Sequence, residues 1–323
     1  MDIVWLIIGL LLILGGANWL TDGASAIAKK WGVSDIIIGL TVVAFGTSTP
    51  ELSIGIISAL KGSAPLAIGN VVGSNIFNIF VIIGIVALIH PIKIEKSVLN
   101  TQIPFVILSS LALLAVGCGP WLGVPGSPEI TRPEGILLFL FFLIFMRYTF
   151  SQAKTASPED PSAQEASSKP AMNIWKAIGL VVIGLGALVF GGDRFVAGAS
   201  GIASSLGMSE ALIGLTIVAA GSSLPELATS ILAAIKGKTG IAVGNVIGSN
   251  ILNIFMVLGI TATIYPLPFG GIGVWDLLIM TAASILFWIF GRQFGDKVID
   301  RWEGGLLFVC YIAYIVAQIL WAA

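Results

Sequence analysis

Two glutamates, Glu51 and Glu226, are the acidic side chains best placed for chemistry, because of the 17 Asp and Glu they alone stand deep inside long apolar runs. A carboxylate at membrane depth costs about 2.5 to 3.5 kcal/mol even on lenient insertion scales, so it needs a partner or an aqueous path. No Lys or Arg within those runs is placed to neutralise either one. Oxygen atoms are at hand instead: Thr47 and Glu51 stand four residues apart, as do Ser222 and Glu226, Ser74 and Asn78, and Ser249 and Asn253. Residues at that spacing share one helix face. Folded together they offer two carboxylates, hydroxyls and two amide carbonyls, an all-oxygen shell that suits hard cations such as Ca²⁺ and Na⁺ rather than thiophilic metals. Pro50 and Pro225 add to it, because a helical proline lacks an N–H and frees the carbonyls one turn back, here Ala44 to Gly46 and Ala219 to Gly221. Freed backbone at membrane depth is tolerated only against protein or water, and a bound cation can be the missing partner.

Other reactive side chains are few. Cys118 and Cys310 share no metal-ligand spacing, and the single His90 precedes Pro91 at the end of an apolar run. A hydrolase built on Ser222 or Ser223 would lack a histidine partner, so the chain is not expected to be an enzyme and no cofactor is implied.

The elements that carry these residues follow from composition. Of 323 residues 57% are hydrophobic and only 10% charged, far from the balance of an ordinary soluble domain. About 20 apolar residues cross a bilayer. Ten stretches qualify, near 3–20, 35–60, 68–89, 103–118, 135–150, 174–192, 210–235, 243–264, 274–290 and 304–321. The chain therefore reads as an all-α membrane protein of ten transmembrane helices whose partner is the lipid bilayer. Net charge is −1 with no basic, aromatic-laced patch, which argues against nucleic acid. The first stretch lacks a basic leader and reads as a retained span. With both termini outside, only Lys61, Arg132 and Arg194 of the 16 Lys and Arg face outward, as the positive-inside rule requires.

Residues 151–173, rich in Pro, Ser, Ala and charge, read as a flexible cytoplasmic linker between a first five-helix repeat, 1–150, and a second, 174–323. The repeat is explicit. Ile38-Gly-Leu-Thr-Val-Val-Ala-Phe-Gly-Thr-Ser-Thr-Pro-Glu-Leu52 returns as Ile213-Gly-Leu-Thr-Ile-Val-Ala-Ala-Gly-Ser-Ser-Leu-Pro-Glu-Leu227, and Gly69-Asn-Val-Val-Gly-Ser-Asn-Ile-Phe-Asn78 as Gly244-Asn-Val-Ile-Gly-Ser-Asn-Ile-Leu-Asn253. Five spans separate equivalent points, and because five is odd the second copy runs the opposite way. Such inverted repeats are a transporter arrangement, with broken helices lining a site near the midplane. Gly69-x-x-x-Gly73 and Gly244-x-x-x-Gly248 read most simply as close-packing motifs. Asn70 and Asn245, or Asn75 and Asn250, are either hydrogen-bond ties between helices or part of the oxygen shell. Asp22 and Asp193 read as solvated or capping residues near span ends.

The motifs Gly46-Thr-Ser-Thr-Pro-Glu51 with Gly73-Ser-Asn-Ile-Phe-Asn78, and Gly221-Ser-Ser-Leu-Pro-Glu226 with Gly248-Ser-Asn-Ile-Leu-Asn253, resemble the α-repeats of the calcium/cation antiporter superfamily, and most closely its sodium/calcium exchanger branch. The resemblance covers the whole chain. It implies an antiporter that exchanges Na⁺ for Ca²⁺ by alternating access, with Glu51, Glu226 and backbone oxygens of Thr47 and Ser222 on Ca²⁺. It further implies sodium sites at Ala44, Ser48, Ser74, Ala219, Ser223 and Ser249 with the two glutamates, and Asn78 and Asn253 at the centre of the cavity. An electrogenic ratio of 3 Na⁺ to 1 Ca²⁺ and independence of K⁺ come with it, since potassium-dependent relatives carry Asp where Asn253 stands. Spans one and six, with Gly15-Gly16 and Gly191-Gly192, would be the sliding gate. The protein is expected to work as a monomer in the cell membrane. A Ca²⁺/H⁺ exchanger using the same glutamates is the alternative.

Overall fold

The computed structural model describes residues 1–62, 64–119, 128–155, 172–207, 219–270, 272–293 and 297–322. The core of the expected linker and the stretch 208–218, which opens the second copy of the repeat, lie outside these. Among the described residues nine helices are long and apolar enough to cross a membrane: α1 (Asp2–Trp31), α2 (Asp35–Leu60), α3 (Ala64–Ile89), α4 (Val98–Gly117), α5 (Arg132–Gln152), α6 (Ile174–Ser205), α8 (Thr239–Ile264), α9 (Val274–Arg292) and α10 (Arg301–Leu320). The shorter α7 (Leu224–Ile235) is the described end of the remaining span. The protein is thus an all-α membrane protein, and nine of the ten expected spans find a helix long enough to cross, the first residues of the seventh lying outside the described ones.

Several boundaries differ from the sequence reading. At 30 and 32 residues, α1 and α6 run on well past 20 and 192; at about 1.5 Å per residue they exceed a hydrocarbon layer of about 30 Å and must tilt or protrude. Asp22 accordingly lies within α1 rather than near its end, and its Oδ1 accepts from Lys236 Nζ at 2.5 Å. The helix that begins at Arg132 continues to Thr155, into what reads as linker.

The contacts group the chain into two compact units, each joining an earlier segment of the chain to a later one. The first unit joins residues 1–47 with 145–248. Its spine is the pairing of α1 with α6 along a seam of glycines seven residues apart: Gly9, Gly16 and Gly23 on α1, Gly184, Gly191 and Gly198 on α6. A Cβ on Gly9 would lie 2.4 Å from Phe195 N and 2.7 Å from Gly191 O, one on Gly16 2.7 Å from Gly184 O, and one on Gly23 2.6 Å from Ala177 O. Backbone therefore rests on backbone, which only small residues allow. Partner numbers fall as α1 rises, so the two helices are antiparallel, as inverted counterparts must be. Of the Gly-Gly pairs picked out in the sequence only Gly16 and Gly191 belong to this seam, while Gly15 meets nothing but Trp19 of its own helix. In the same unit residues 35–47 cross the start of α8, where a Cβ on Gly244 would sit 2.4 Å from Ile36 O and one on Gly248 2.8 Å from Leu40 O.

The second unit joins residues 48–144 with 249–323. Here α3 lies against α10, Gly84 touching the Gly304 carbonyl, and α5 lies against α8, Gly259 touching Phe139. Two short antiparallel ladders tie one side of the linker to the other: β1 (Ile92–Lys93) pairs with β4 (Val298–Ile299), and β2 (Glu129–Ile130) with β3 (Leu267–Pro268). Helices α5 and α10 begin alike. Glu134 Oε2 accepts from Thr131 N, and Glu303 Oε2 from Asp300 N, both at 2.7 Å. Each carboxylate satisfies an N–H that the helix itself leaves open.

Candidate cation-binding residues

Helix α2 does not kink around Pro50. It breaks two residues earlier, at Ser48 (φ −82°, ψ 4°), and restarts as Thr49–Leu60 with the proline in the first turn, where a missing N–H costs nothing. The second copy repeats this: Ser223 (φ −89°, ψ 6°) precedes Leu224–Ile235, again with proline in the first turn. The prolines start helices rather than interrupt them, so the breaks belong to Ser48 and Ser223. Glu51 and Glu226 stand in the first turn of their helices, where the positive end of the helix dipole favours an anion by about 0.3 to 1 kcal/mol. Both are shut away from solvent, at 0% and 1% exposure.

Two of the divisions between the units fall inside motifs, between Thr47 and Ser48 in the first copy and between Gly248 and Ser249 in the second. In the first unit Thr47 is fully buried, Ser223 and Pro225 are buried, and Ser222 is partly exposed. Ala44 is helical and buried, and Ala219 begins the turn Ala219–Gly221. Asn245 ties this group together. Its Oδ1 accepts from Thr47 Oγ1 at 3.0 Å, and its Nδ2 donates to the Glu226 carbonyl at 3.3 Å and to Ser230 Oγ at 3.0 Å. Thr47 Oγ1 also lies 3.4 Å from the Ala44 carbonyl. One hydroxyl proton serves one acceptor well, and the shorter contact is to Asn245. Asn245, left undecided in the sequence, is thus a tie that orients the Thr47 hydroxyl. Ser230 was missed altogether, because its repeat counterpart is Gly55 and a search for matched polar pairs passes over it.

In the second unit Ser48, Ser74 and Ser249 are buried with Glu51. Ser48 Oγ has no hydrogen-bond partner among the described residues. Four asparagines, Asn75, Asn78, Asn250 and Asn253, are also buried and bond to one another in two matched halves. Asn75 Nδ2 donates to the Asn250 carbonyl at 3.1 Å and Asn250 Nδ2 to the Asn75 carbonyl at 3.3 Å. Asn78 Nδ2 donates to Asn250 Oδ1 at 2.9 Å, and Asn253 Nδ2 to Asn75 Oδ1 at 3.1 Å. Asn78 and Asn253 each open a π-helical turn, Asn78–Ile83 and Asn253–Leu258, a local widening common at functional sites.

The chemistry on offer is uniform: carboxylates at helix starts, hydroxyls, amide oxygens and carbonyls beside two helix breaks. Such donors bind hard cations. The family model described as sodium/calcium exchanger protein matches residues 1–151 and 176–320. The sodium/calcium exchanger MaX1 of Methanosarcina acetivorans is 34% identical over 341 residues, covering 96% of each chain. The inner membrane protein YrbG of Escherichia coli is 32% identical over 333 residues, covering 98% of this chain and 97% of its own. Among solved structures, the sodium-calcium exchanger NCX_Mj soaked with Na⁺ and Ca²⁺ superposes with a TM-score of 0.83 at 31% identity, covering 98% of this chain and 97% of that one.

Proposed function

Because this chain belongs to the sodium/calcium exchanger family, we propose that it is an alternating-access antiporter of the cell membrane that carries Ca²⁺ one way and Na⁺ the other through residues around Glu51 and Glu226. The observation that carries this reading is the pair of buried carboxylates, each in the first turn of a helix that restarts after a break. Glu51, Glu226, Thr47 and Ser222 take Ca²⁺. Ser48, Ser74, Ser223, Ser249 and the Ala44 and Ala219 carbonyls share Na⁺ with the glutamates. Asn78 and Asn253 line the centre. The Ser48 hydroxyl, without a hydrogen-bond partner among the described residues, supports its place in that set. Independence of K⁺ is supported at Asn253, whose Nδ2 donates to Asn75; an Asp there could not. The protein works as a monomer with both termini outside, the linker cytoplasmic, and α1 with α6 as the moving pair along their glycine seam.

Two carboxylates balance one Ca²⁺. They also balance two Na⁺, so the three-to-one ratio is the one that makes exchange sensitive to voltage: three Na⁺ leave about one net positive charge to cross the potential. That is worth about 2.3 kcal/mol per 100 mV, or roughly 50-fold in the Ca²⁺ gradient sustained. The test is ⁴⁵Ca²⁺ uptake into proteoliposomes. Uptake is expected with an outward Na⁺ gradient in the absence of K⁺; in a separate arm, an inward K⁺ gradient with valinomycin makes the interior positive and raises uptake, since net positive charge then leaves with the exported Na⁺. Uptake driven only by a pH gradient would instead make the protein a Ca²⁺/H⁺ exchanger, and indifference to voltage would rule out the three-to-one ratio.

A further inference from the structure

An amide presents one donor end and one acceptor end, and a half-turn about its last bond exchanges them. Beside a cation that choice is decisive: the oxygen is a ligand and the NH₂ group repels. Asn78 and Asn253 therefore contribute to a cation site only if something holds their oxygens the right way round. We infer that Asn75 and Asn250 are the positioning residues that do this, an inference that rests on the reading of Asn78 and Asn253 as cation-facing.

The orientation follows link by link from the hydrogen bonds. A backbone carbonyl only accepts, so the Asn75 atom 3.1 Å from the Asn250 carbonyl is its nitrogen. The Asn75 oxygen then points the other way, and the Asn253 atom 3.1 Å from it must donate, which makes it Nδ2. Asn253 Oδ1 is what remains, buried and without a hydrogen-bond partner among the described residues. The second half is the same with the roles exchanged. Asn250 Nδ2 faces the Asn75 carbonyl at 3.3 Å, Asn250 Oδ1 accepts from Asn78 Nδ2 at 2.9 Å, and Asn78 Oδ1 is left over, equally buried and unpartnered. All four side chains are at most 1% exposed. A buried acceptor without a donor is costly, and here two are produced at matched positions by one closed network. The two backbone carbonyls fix the inner amides, the inner amides fix the outer ones, and the outer oxygens are held open for a cation.

The test separates orientation from mere packing. Asn75→Leu keeps the number and branching of heavy atoms and removes the acceptor that pins Asn253, so the amide is free to turn its NH₂ toward the ion. Affinity for Ca²⁺ and Na⁺ should fall about 5- to 10-fold, the scale of one hydrogen bond. Asn253→Asp makes both ends of that side chain oxygen, so a half-turn changes nothing. In the Asn253→Asp background, adding Asn75→Leu should cost less than about 2-fold. Asn250→Leu with Asn78→Asp is the matched pair on the other half and carries the same expectation should Asn75→Leu fail to fold. Binding is read as the shift in thermal midpoint of the purified protein titrated with CaCl₂ or NaCl. Equal losses in both backgrounds, or no loss from Asn75→Leu alone, would overturn the inference. A wild type that binds Ca²⁺ yet does not exchange it for Na⁺ would contradict the exchange reading and leave this comparison in force, whereas a midpoint that responds to neither ion contradicts both.

Discussion

Glu51→Gln and Glu226→Gln should each reduce Na⁺-driven ⁴⁵Ca²⁺ uptake to the level of empty liposomes while leaving a folded protein. Glutamine keeps the shape of glutamate and removes the charge, at positions buried to 0% and 1% exposure. Taking one partner from a buried charged interaction costs about 3 to 5 kcal/mol, which at about 1.4 kcal/mol per tenfold is roughly a 100- to 4,000-fold loss of Ca²⁺ affinity. The control is Glu303→Gln. Glu303 is as buried, but it caps α10 by accepting from Asp300 N at 2.7 Å, and the glutamine oxygen can accept the same bond. Uptake should survive that change. Equal loss in all three variants would mean that any buried glutamate matters only for folding.

The second large effect is structural. Gly244→Leu should lower the thermal midpoint, because a Cβ there meets Ile36 O at 2.4 Å, Leu40 N at 2.9 Å and Gly39 Cα at 3.0 Å. Those are backbone atoms, so no rotamer change relieves the clash. Overpacking typically costs about 1 to 3 kcal/mol, and at about 2 to 4 °C per kcal/mol the upper end lowers the thermal midpoint by roughly 6 to 12 °C. Gly186→Leu is the comparison, for no described atom lies within 4 Å of a Cβ at that exposed position. A midpoint unchanged in Gly244→Leu, or lowered as much by Gly186→Leu, would contradict the crossing of α2 and α8 described above.

Much of this was legible in the sequence because it is periodic or chemically costly. Ten apolar runs needed only counting, and a carboxylate such as Glu51 among apolar residues stands out by its insertion penalty. The return of Ile38–Leu52 at Ile213–Leu227 gave the inversion. What stayed hidden depends on partners distant in the chain. The glycine seam of α1 and α6 could not be told from neighbouring glycines such as Gly15, because only the facing helix decides which of them is covered. The role of Asn245 turns on Thr47, 198 residues away. Two-residue ladders such as Ile92–Lys93 with Val298–Ile299 have no pattern long enough to read. The proline rule located the helix breaks to within two residues, yet it misjudged which side of the break the proline occupies. A proline at the start of a helix and one inside it look alike until the preceding backbone is seen at Ser48 and Ser223.

Exchange of Ca²⁺ for Na⁺ on shared residues is tested most directly by following both ions in the same vesicles. Proteoliposomes loaded with ²²Na⁺ are diluted into Na⁺-free medium with and without ⁴⁵Ca²⁺. Exchange predicts that ²²Na⁺ leaves only when external Ca²⁺ is present, in fixed proportion to the ⁴⁵Ca²⁺ gained, and that Glu51→Gln stops both fluxes together. Loss of ²²Na⁺ at the same rate without Ca²⁺, or ⁴⁵Ca²⁺ entry with no ²²Na⁺ loss, would contradict it.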